Sequence, residues 1–212
     1  MTNFARAERA GLAATLEAIG PDAPTLCAGW TTTDLVLHLV LRDRADPAQF
    51  AERAPGPLGA ALERRRRSTL ALHGFTGLID VFRNGPPTLS PFSLPGAEAR
   101  ANTVEFYVHH EDVRRAQPGW EPRVLSNEFE GTLFATLSTL GRLMVRRVSA
   151  GVQVATPDGL AATLKKGVPV ATVSGPASEA VLYLFGRRAD ARVAILGDEG
   201  AREALAQAKL GI

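Results

Sequence analysis

The sequence predicts an α+β protein, a helical bundle over residues 1–150 followed by a small α/β domain over residues 151–212. Three observations carry that reading. Apolar residues recur at helical spacing through most of the first part, Pro and Gly clusters punctuate the helical stretches, and the period shortens to two at Gly151. The 212 residues suffice for two cores, and 45% hydrophobic with 22% charged residues is the balance of a soluble globular chain. No run approaches the roughly 18 apolar residues that a membrane-spanning helix needs. The opening Met1-Thr2-Asn3-Phe4-Ala5-Arg6 reads as amphipathic helix and not as a signal peptide. A cytoplasmic location is therefore expected, with no membrane partner. The single cysteine, Cys27, excludes an internal disulfide and fits a reducing compartment.

The elements follow in order. Phe4, Leu12, Leu16 and Ile19 form one face of a first helix that Gly20-Pro21 ends. A loop through Cys27-Ala28-Gly29-Trp30 leads to Thr31-x-x-Asp34, a capping-box pattern in which Thr31 or Thr32 starts a second helix running to about Arg44. Pro55-Gly56-Pro57 precedes a third helix over 58–72. A short helix around Leu78 and Phe82 follows, then an irregular segment to Pro95, a length that favours a functional lining. A fourth helix covers 97–116. The fifth, 126–149, carries the stripe Phe129, Leu133, Leu137, Leu140 and Met144. Beyond Gly151, strands are expected at 152–154, 160–164, 168–173 and 192–196. One helix opens at Ser174-Gly175-Pro176 and closes at Gly186, and a last one spans 199–209.

Charge adds little. The formal net charge is +2, and the run Arg64-Arg65-Arg66-Arg67 spreads around a helix circumference, which reads as solvated surface and not as a nucleic-acid stripe. Phosphate-binding glycine loops and Gly-x-Ser-x-Gly are absent, so nucleotide and hydrolase chemistry have no support in the sequence.

The informative segment is Glu105-Phe106-Tyr107-Val108-His109-His110-Glu111-Asp112. Glu105 and His109, four apart, share one side of a helix, and Asp112 continues the stripe. Such a pair is a two-ligand platform for zinc, and a catalytic zinc usually takes three protein ligands with one position open. His38, on the apolar side of the second helix, supplies a third, since bundles build metal sites from facing helices. Asp112 has two open roles, orienting an imidazole or binding the metal. His110 repeats the ligand type one step later, so His109 and His110 both stand as candidates, and zinc, nickel and iron remain open as the metal.

Two stretches, Cys27-x-Gly29-Trp30-Thr31-x-x-Asp34-Leu35-Val36-x-His38-Leu39 and Glu105-x-x-Val108-His109-x-x-Asp112, resemble the motifs of the mycothiol-dependent maleylpyruvate isomerase family. The run from Ser174-Gly175-Pro176 through Leu184-Phe185-Gly186-Arg187 to Gly197-Asp198 is similar to that family's second domain. The resemblance implies a DinB-like metal-binding four-helix bundle at 1–150 and a sterol-carrier-like α/β domain at 151–212. It implies His38, Glu105 and His109 as ligands of zinc or another divalent metal. It also implies mycothiol as an external low-molecular-weight thiol acting on a small electrophilic substrate. In that family's isomerisation, thiolate adds to a conjugated double bond, the resulting single bond rotates, and elimination returns the trans alkene. Cys27, with no basic residue beside it in sequence, is expected to be a small buried residue and not the nucleophile. Arg187 is the expected catalytic anion-binding residue with Arg188 beside it, because a guanidinium grips carboxylates in a bidentate way. Both equally fit cations at a helix C-terminus. The competing expectation is a non-catalytic protein that holds a metal in the bundle and a small ligand in the α/β domain. A closed site with Asp112 as fourth ligand would mark it.

Overall fold

The computed structural model describes residues 3–88, 90 and 97–210, and its packing forms two units, Met1–Glu121 and Pro122–Ile212. The first unit contains the four helices of a bundle: α1 (Phe4–Ile19), α2 (Thr32–Asp43), α3 (Gly56–Asn84) and α4 (Ala97–Arg115). Helix α1 packs on α4 and α3, and α2 packs on α3. Leu12, Leu16, Leu35, Leu39, Leu78, Ile79, Phe82, Phe106 and Val113 meet in its core. Each such burial contributes about 1.5–3 kcal/mol relative to an exposed side chain.

The start of α2 follows the capping logic. The Thr31 hydroxyl accepts from Asp34 N at 3.4 Å, and the Asp34 carboxylate accepts from Thr31 N at 3.1 Å. Helix α3 joins two stretches that the sequence reading separates. Its path breaks at Gly74 (φ 61°), a left-handed conformation that costs a side-chain-bearing residue dearly, so 58–72 and the turn containing Leu78 and Phe82 become its two arms. Of the irregular segment expected up to Pro95, Arg83 and Asn84 end α3, and residues 89 and 91–95 lie outside the described residues. In the arginine run, Arg64, Arg65 and Arg67 are exposed as expected of a solvated face, and Arg66 turns inward. Arg66 is 5% exposed and meets Asp34, Glu63 and Glu52, while Arg65 pairs with Asp46 and Arg67 with Glu63.

A buried cation lies in the bundle core. The Arg9 guanidinium bonds to Asp43 and donates to the Phe82 carbonyl at 2.7 Å. It also lies 4.8 Å and 4.5 Å from the Phe82 and Phe106 ring centroids. An isolated buried charge would be prohibitive, and paired charge together with ring faces makes it tolerable.

In the second unit, α5 (Asn127–Met144) precedes β1 (Gly151–Ala155), β2 (Ala161–Lys165), β3 (Val170–Ser174), α6 (Ala177–Leu184), β4 (Ala194–Gly197) and α7 (Glu199–Gln207). The sheet order is β2-β1-β3-β4, with β1 antiparallel to β2, parallel to β3, and β3 antiparallel to β4. The expected boundary near residue 150 marks where strand periodicity begins, whereas packing changes partner after Glu121. The reason is specific to α5. Glu130 accepts from both the backbone N (2.9 Å) and the hydroxyl (2.7 Å) of Ser178 at the start of α6. Gly141 lets Leu164 of β2 approach so closely that a Cβ there would sit 2.8 Å from Leu164 Cδ1. No described helix is long and apolar enough to cross a membrane.

Replacing Thr31 with Ala removes the cap of α2 and is expected to lower stability by about 1 kcal/mol in urea unfolding, with the slope unchanged. An unchanged midpoint would show that the Thr31–Asp34 exchange is not what fixes the start of α2.

Candidate metal centre

From Asn102 to Val113 every residue of α4 is buried except two, Glu105 and His109. These stand one turn apart, so the helix opens along a single stripe at the spacing that pairs their side chains. Their side chains are 25% and 12% exposed. Facing them from α2 is His38, 15% exposed. His38 Nε2 lies 3.6 Å from Glu105 Oε1, and His109 Nε2 lies 3.4 Å from the same oxygen. All three donor atoms fall within 4.8 Å of one another. For tetrahedral zinc with bonds of about 2.1 Å, neighbouring donors stand about 3.4 Å apart. The donor set is therefore of the right kind and spacing to hold a divalent metal.

The imidazoles are held differently. His109 Nδ1 donates to Asp112 Oδ2 at 2.9 Å, which aims Nε2 at Glu105 on the other side of the ring. Asp112 is fully buried and sits behind His109, as a carboxylate orients a metal-binding histidine. The His38 ring lies against His109, with centroids 5.5 Å apart, and against the Trp30 indole at 5.1 Å. His38 Nδ1 is buried with no hydrogen-bond partner among the described residues. Trp30 also donates from Nε1 to Glu52 at 3.1 Å.

His110 points elsewhere. Its Nδ1 meets Glu8 Oε2 and its Nε2 meets Thr15 Oγ1, each at 3.0 Å, both on α1. Gly11 makes room for it, since a Cβ there would come within 3.0 Å of the His110 ring. The structure thus brings His38, Glu105 and His109 together and leaves His110 in a separate polar contact.

Two neighbours escaped the sequence reading. Arg42, one turn beyond His38, places Nε 3.2 Å from Glu105 Oε1 and bonds to Asn102. The i, i+4 relation to His38 is the signal that could have found it. Cys27, expected to lack a basic neighbour, has Sγ 3.9 Å from His109 Nδ1 and donates to Asp112 Oδ2 at 3.2 Å. The separation of 82 and 85 positions hides both contacts from any local pattern.

The electrostatics follow from these contacts. Burial pushes His38 below its ordinary value, against the hydrogen bond with Glu105. Burial alone would raise Glu105, but hydrogen bonds from His109 and His38, with the nearby charges of His109 and Arg42, hold it well below the usual carboxylate range. Burial alone would lower His109, yet Asp112, Cys27 and Glu105 together hold it well above its ordinary value.

Arg187 lies in the second unit, just past α6, with Nη1 donating to the Phe185 carbonyl at 2.6 Å. Arg188 donates from Nη2 to the Leu205 carbonyl at 3.0 Å and bonds to Ala206 and Ala208, which completes the C-terminal turn of α7.

Comparison of the sequence with family models and with curated proteins finds no match. Comparison of the fold with solved structures does. The chain resembles a mycothiol-dependent maleylpyruvate isomerase, with a TM-score of 0.52 at 16% identity, over 91% of this chain and 90% of that one. A mutant of such an isomerase, with a histidine replaced by alanine, matches at a TM-score of 0.54 and 17% identity, with the same coverage. The α+β fold of this chain is thus the fold of those isomerases.

Proposed function

We propose that this chain is a cytoplasmic, metal-binding enzyme that uses mycothiol for thiol addition, thiol transfer or cis–trans isomerisation on a small electrophile. One observation carries the proposal: the only two residues of α4 between Asn102 and Val113 that are not buried are Glu105 and His109, and His38 faces both. A structural polar cluster has no need of such an opening. The likeness of fold to mycothiol-dependent maleylpyruvate isomerase supports the choice of thiol and reaction class.

In this reading His38, Glu105 and His109 hold zinc, and Asp112 keeps the Nδ1 proton of His109 in place so that Nε2 is the ligating atom. Asp112 stands on the far side of that ring, so it does not close the centre as a fourth ligand, and this favours an enzyme over a non-catalytic metal protein. A divalent metal bound there supplies Lewis-acid stabilisation of an ionised thiol. Arg42 braces the Glu105 carboxylate from its flank and adds positive charge beside it, which favours an anionic incoming group. Arg187 is the residue proposed to grip a carboxylate of the thiol or substrate. Arg187→Lys keeps the charge but loses the bidentate fork, so kcat/KM is expected to fall about tenfold to hundredfold. An unchanged value would leave Arg187 without the proposed role in the reaction.

The direct test is elemental analysis of protein purified without a chelating tag. Wild type is expected to carry near-stoichiometric zinc, and His38→Ala, Glu105→Ala and His109→Ala to lose it. Wild type that takes up no metal when zinc is supplied would reduce the three residues to ordinary bundle polar groups. Zinc-loaded protein that neither binds mycothiol nor consumes it with any electrophile would sink the thiol chemistry alone.

The pH dependence has a definite sign. His109, raised well above its ordinary value, is held toward the charged form, whereas His38, lowered, is held toward the neutral one. Binding zinc through His109 Nε2 displaces the proton that this raised value favours, so uptake of the metal is expected to release protons. Calorimetry in buffers of different ionisation enthalpy should read that release, with affinity rising with pH until the folded-state value of His109 is passed. Zinc binding without proton release would show that His109 is already neutral. Without metal, the His109 contribution to stability is full below about pH 6.5 and fades as pH rises through the raised value. The Glu105 contribution is present above about pH 4.5 and fades as acid passes through the depressed value.

A further inference from the structure

The loop between α1 and α2 is fixed to α4 at two points. Leu26 N donates to the Asp112 carbonyl at 3.0 Å, and one residue on, the Cys27 thiol donates to Asp112 Oδ2 at 3.2 Å. The loop holds its own shape as well. Cys27 N donates to Thr25 Oγ1 at 3.2 Å, Trp30 N to the Cys27 carbonyl at 2.9 Å, and Gly29 takes φ 77°. The position of Cys27 is therefore set by backbone contacts that do not involve its sulfur.

We infer that Cys27 is a positioning residue for the metal centre, acting through Asp112 on His109. Asp112 Oδ2 accepts from the Cys27 thiol and from His109 Nδ1, at 3.2 Å and 2.9 Å. An aspartate carboxyl turns broadly about its last torsion, and a second donor on one oxygen favours the rotation that keeps this oxygen toward the imidazole. The direction of that imidazole in turn sets where Nε2 points, 3.4 Å from Glu105 Oε1. Loss of the thiol donor loosens the carboxyl and lets the ligating nitrogen wander from the position that His38 and Glu105 define. Asp112 is 0% exposed, so bulk water does not replace the lost donor. A cysteine that merely fills space would tolerate an apolar side chain of similar size, and one that bound the metal itself would leave a thiolate signature. Positioning predicts neither.

This inference rests on the metal-binding reading above, and its test separates the two. Zinc affinity of the full chain is measured by competition with a chromophoric chelator for wild type, Cys27→Val and Cys27→Ser, with circular dichroism and melting of each metal-free protein alongside. Cys27→Val, similar in size but without a donor, is expected to bind zinc about threefold to tenfold more weakly. That is less than the roughly tenfold to hundredfold cost of removing a direct partner of a ligating histidine. Cys27→Ser restores a donor and is expected to fall within about twofold of wild type, and it serves as the folded comparison if the valine protein does not fold. The cobalt(II)-loaded wild type is expected to show no thiolate-to-metal charge-transfer band. Wild-type affinity in Cys27→Val, equal weakening in Cys27→Ser, or a charge-transfer band that Cys27→Val abolishes would each overturn the positioning role while leaving metal binding intact. Wild type that binds no zinc overturns both.

Discussion

Helix α4 carries ionisable side chains into the interior of the first unit, and each of them has to be matched by a group from another element or from the next turn. Unmatched, any one would cost more than a well-packed leucine contributes. His110 is met by Glu8 and Thr15 from α1, Glu111 by Arg114 and Arg115 one turn ahead, and Asp112 by Cys27 and by His109. Glu105 is met by Arg42 and His38 from α2. These pairings tie α1, α2 and the loop between them to one helix, and they do so directionally, which apolar contacts cannot. Leu12 and Leu39 would tolerate small slides. A carboxylate 2.9 Å from an imidazole nitrogen would not.

The same requirement accounts for the spacing of the motif from Cys27 to His38. Cys27 supplies a donor to Asp112, Gly29 provides the left-handed turn, Trp30 lies against the His38 ring, and Thr31 starts α2 in the register that turns His38 toward Glu105. Four residues with different chemistry thus act on two histidines. Trp30 bears on His38 by contact, and Cys27 bears on His109 through a carboxylate. These contacts all lie in the segment that joins α1 to α2, so the two histidines from different helices are coupled through it.

Much of this was legible in the sequence, and the remainder was hidden for identifiable reasons. The capping box at Thr31, the span of α4, the strand pattern after Gly151 and the shared face of Glu105 and His109 rest on local periodicity, which is what a helix or strand writes into its residues, whereas His38 joined them through the resemblance of its motif. The choice between His109 and His110 could not be read locally, because a one-residue rotation of α4 preserves every residue type. It depends on which face α1 covers, and Gly11, the residue that lets α1 approach, gives no periodic signal. Arg66 was read as surface because four consecutive arginines look alike, while only one of them turns inward to Asp34 and Glu63. The allegiance of α5 was missed because an apolar stripe says that a helix is buried and not against what. Glu130, which caps α6 from α5, is a charged residue whose role shows only in three dimensions.

The candidate centre departs from the rule that governs the rest of α4. Elsewhere on the helix, His110, Glu111 and Asp112 are each matched by a partner of complementary chemistry. At Glu105 one carboxylate oxygen faces two imidazoles and a guanidinium. The two histidines are driven to opposite protonation tendencies, His38 toward neutral and His109 toward charged, although they lie against each other. A cluster kept only for packing would shed this tension at little cost, since an apolar residue at position 38 would fill the same space beside Trp30. Retaining an imidazole there makes physical sense if something other than a proton satisfies the convergent lone pairs. A divalent cation does so in a way no side chain within reach can, because it accepts from both imidazoles and the carboxylate at once. The convergence of two imidazole nitrogens on one carboxylate oxygen, at the stripe where α4 is partly exposed between Asn102 and Val113, is therefore the strongest physical argument for a bound cation.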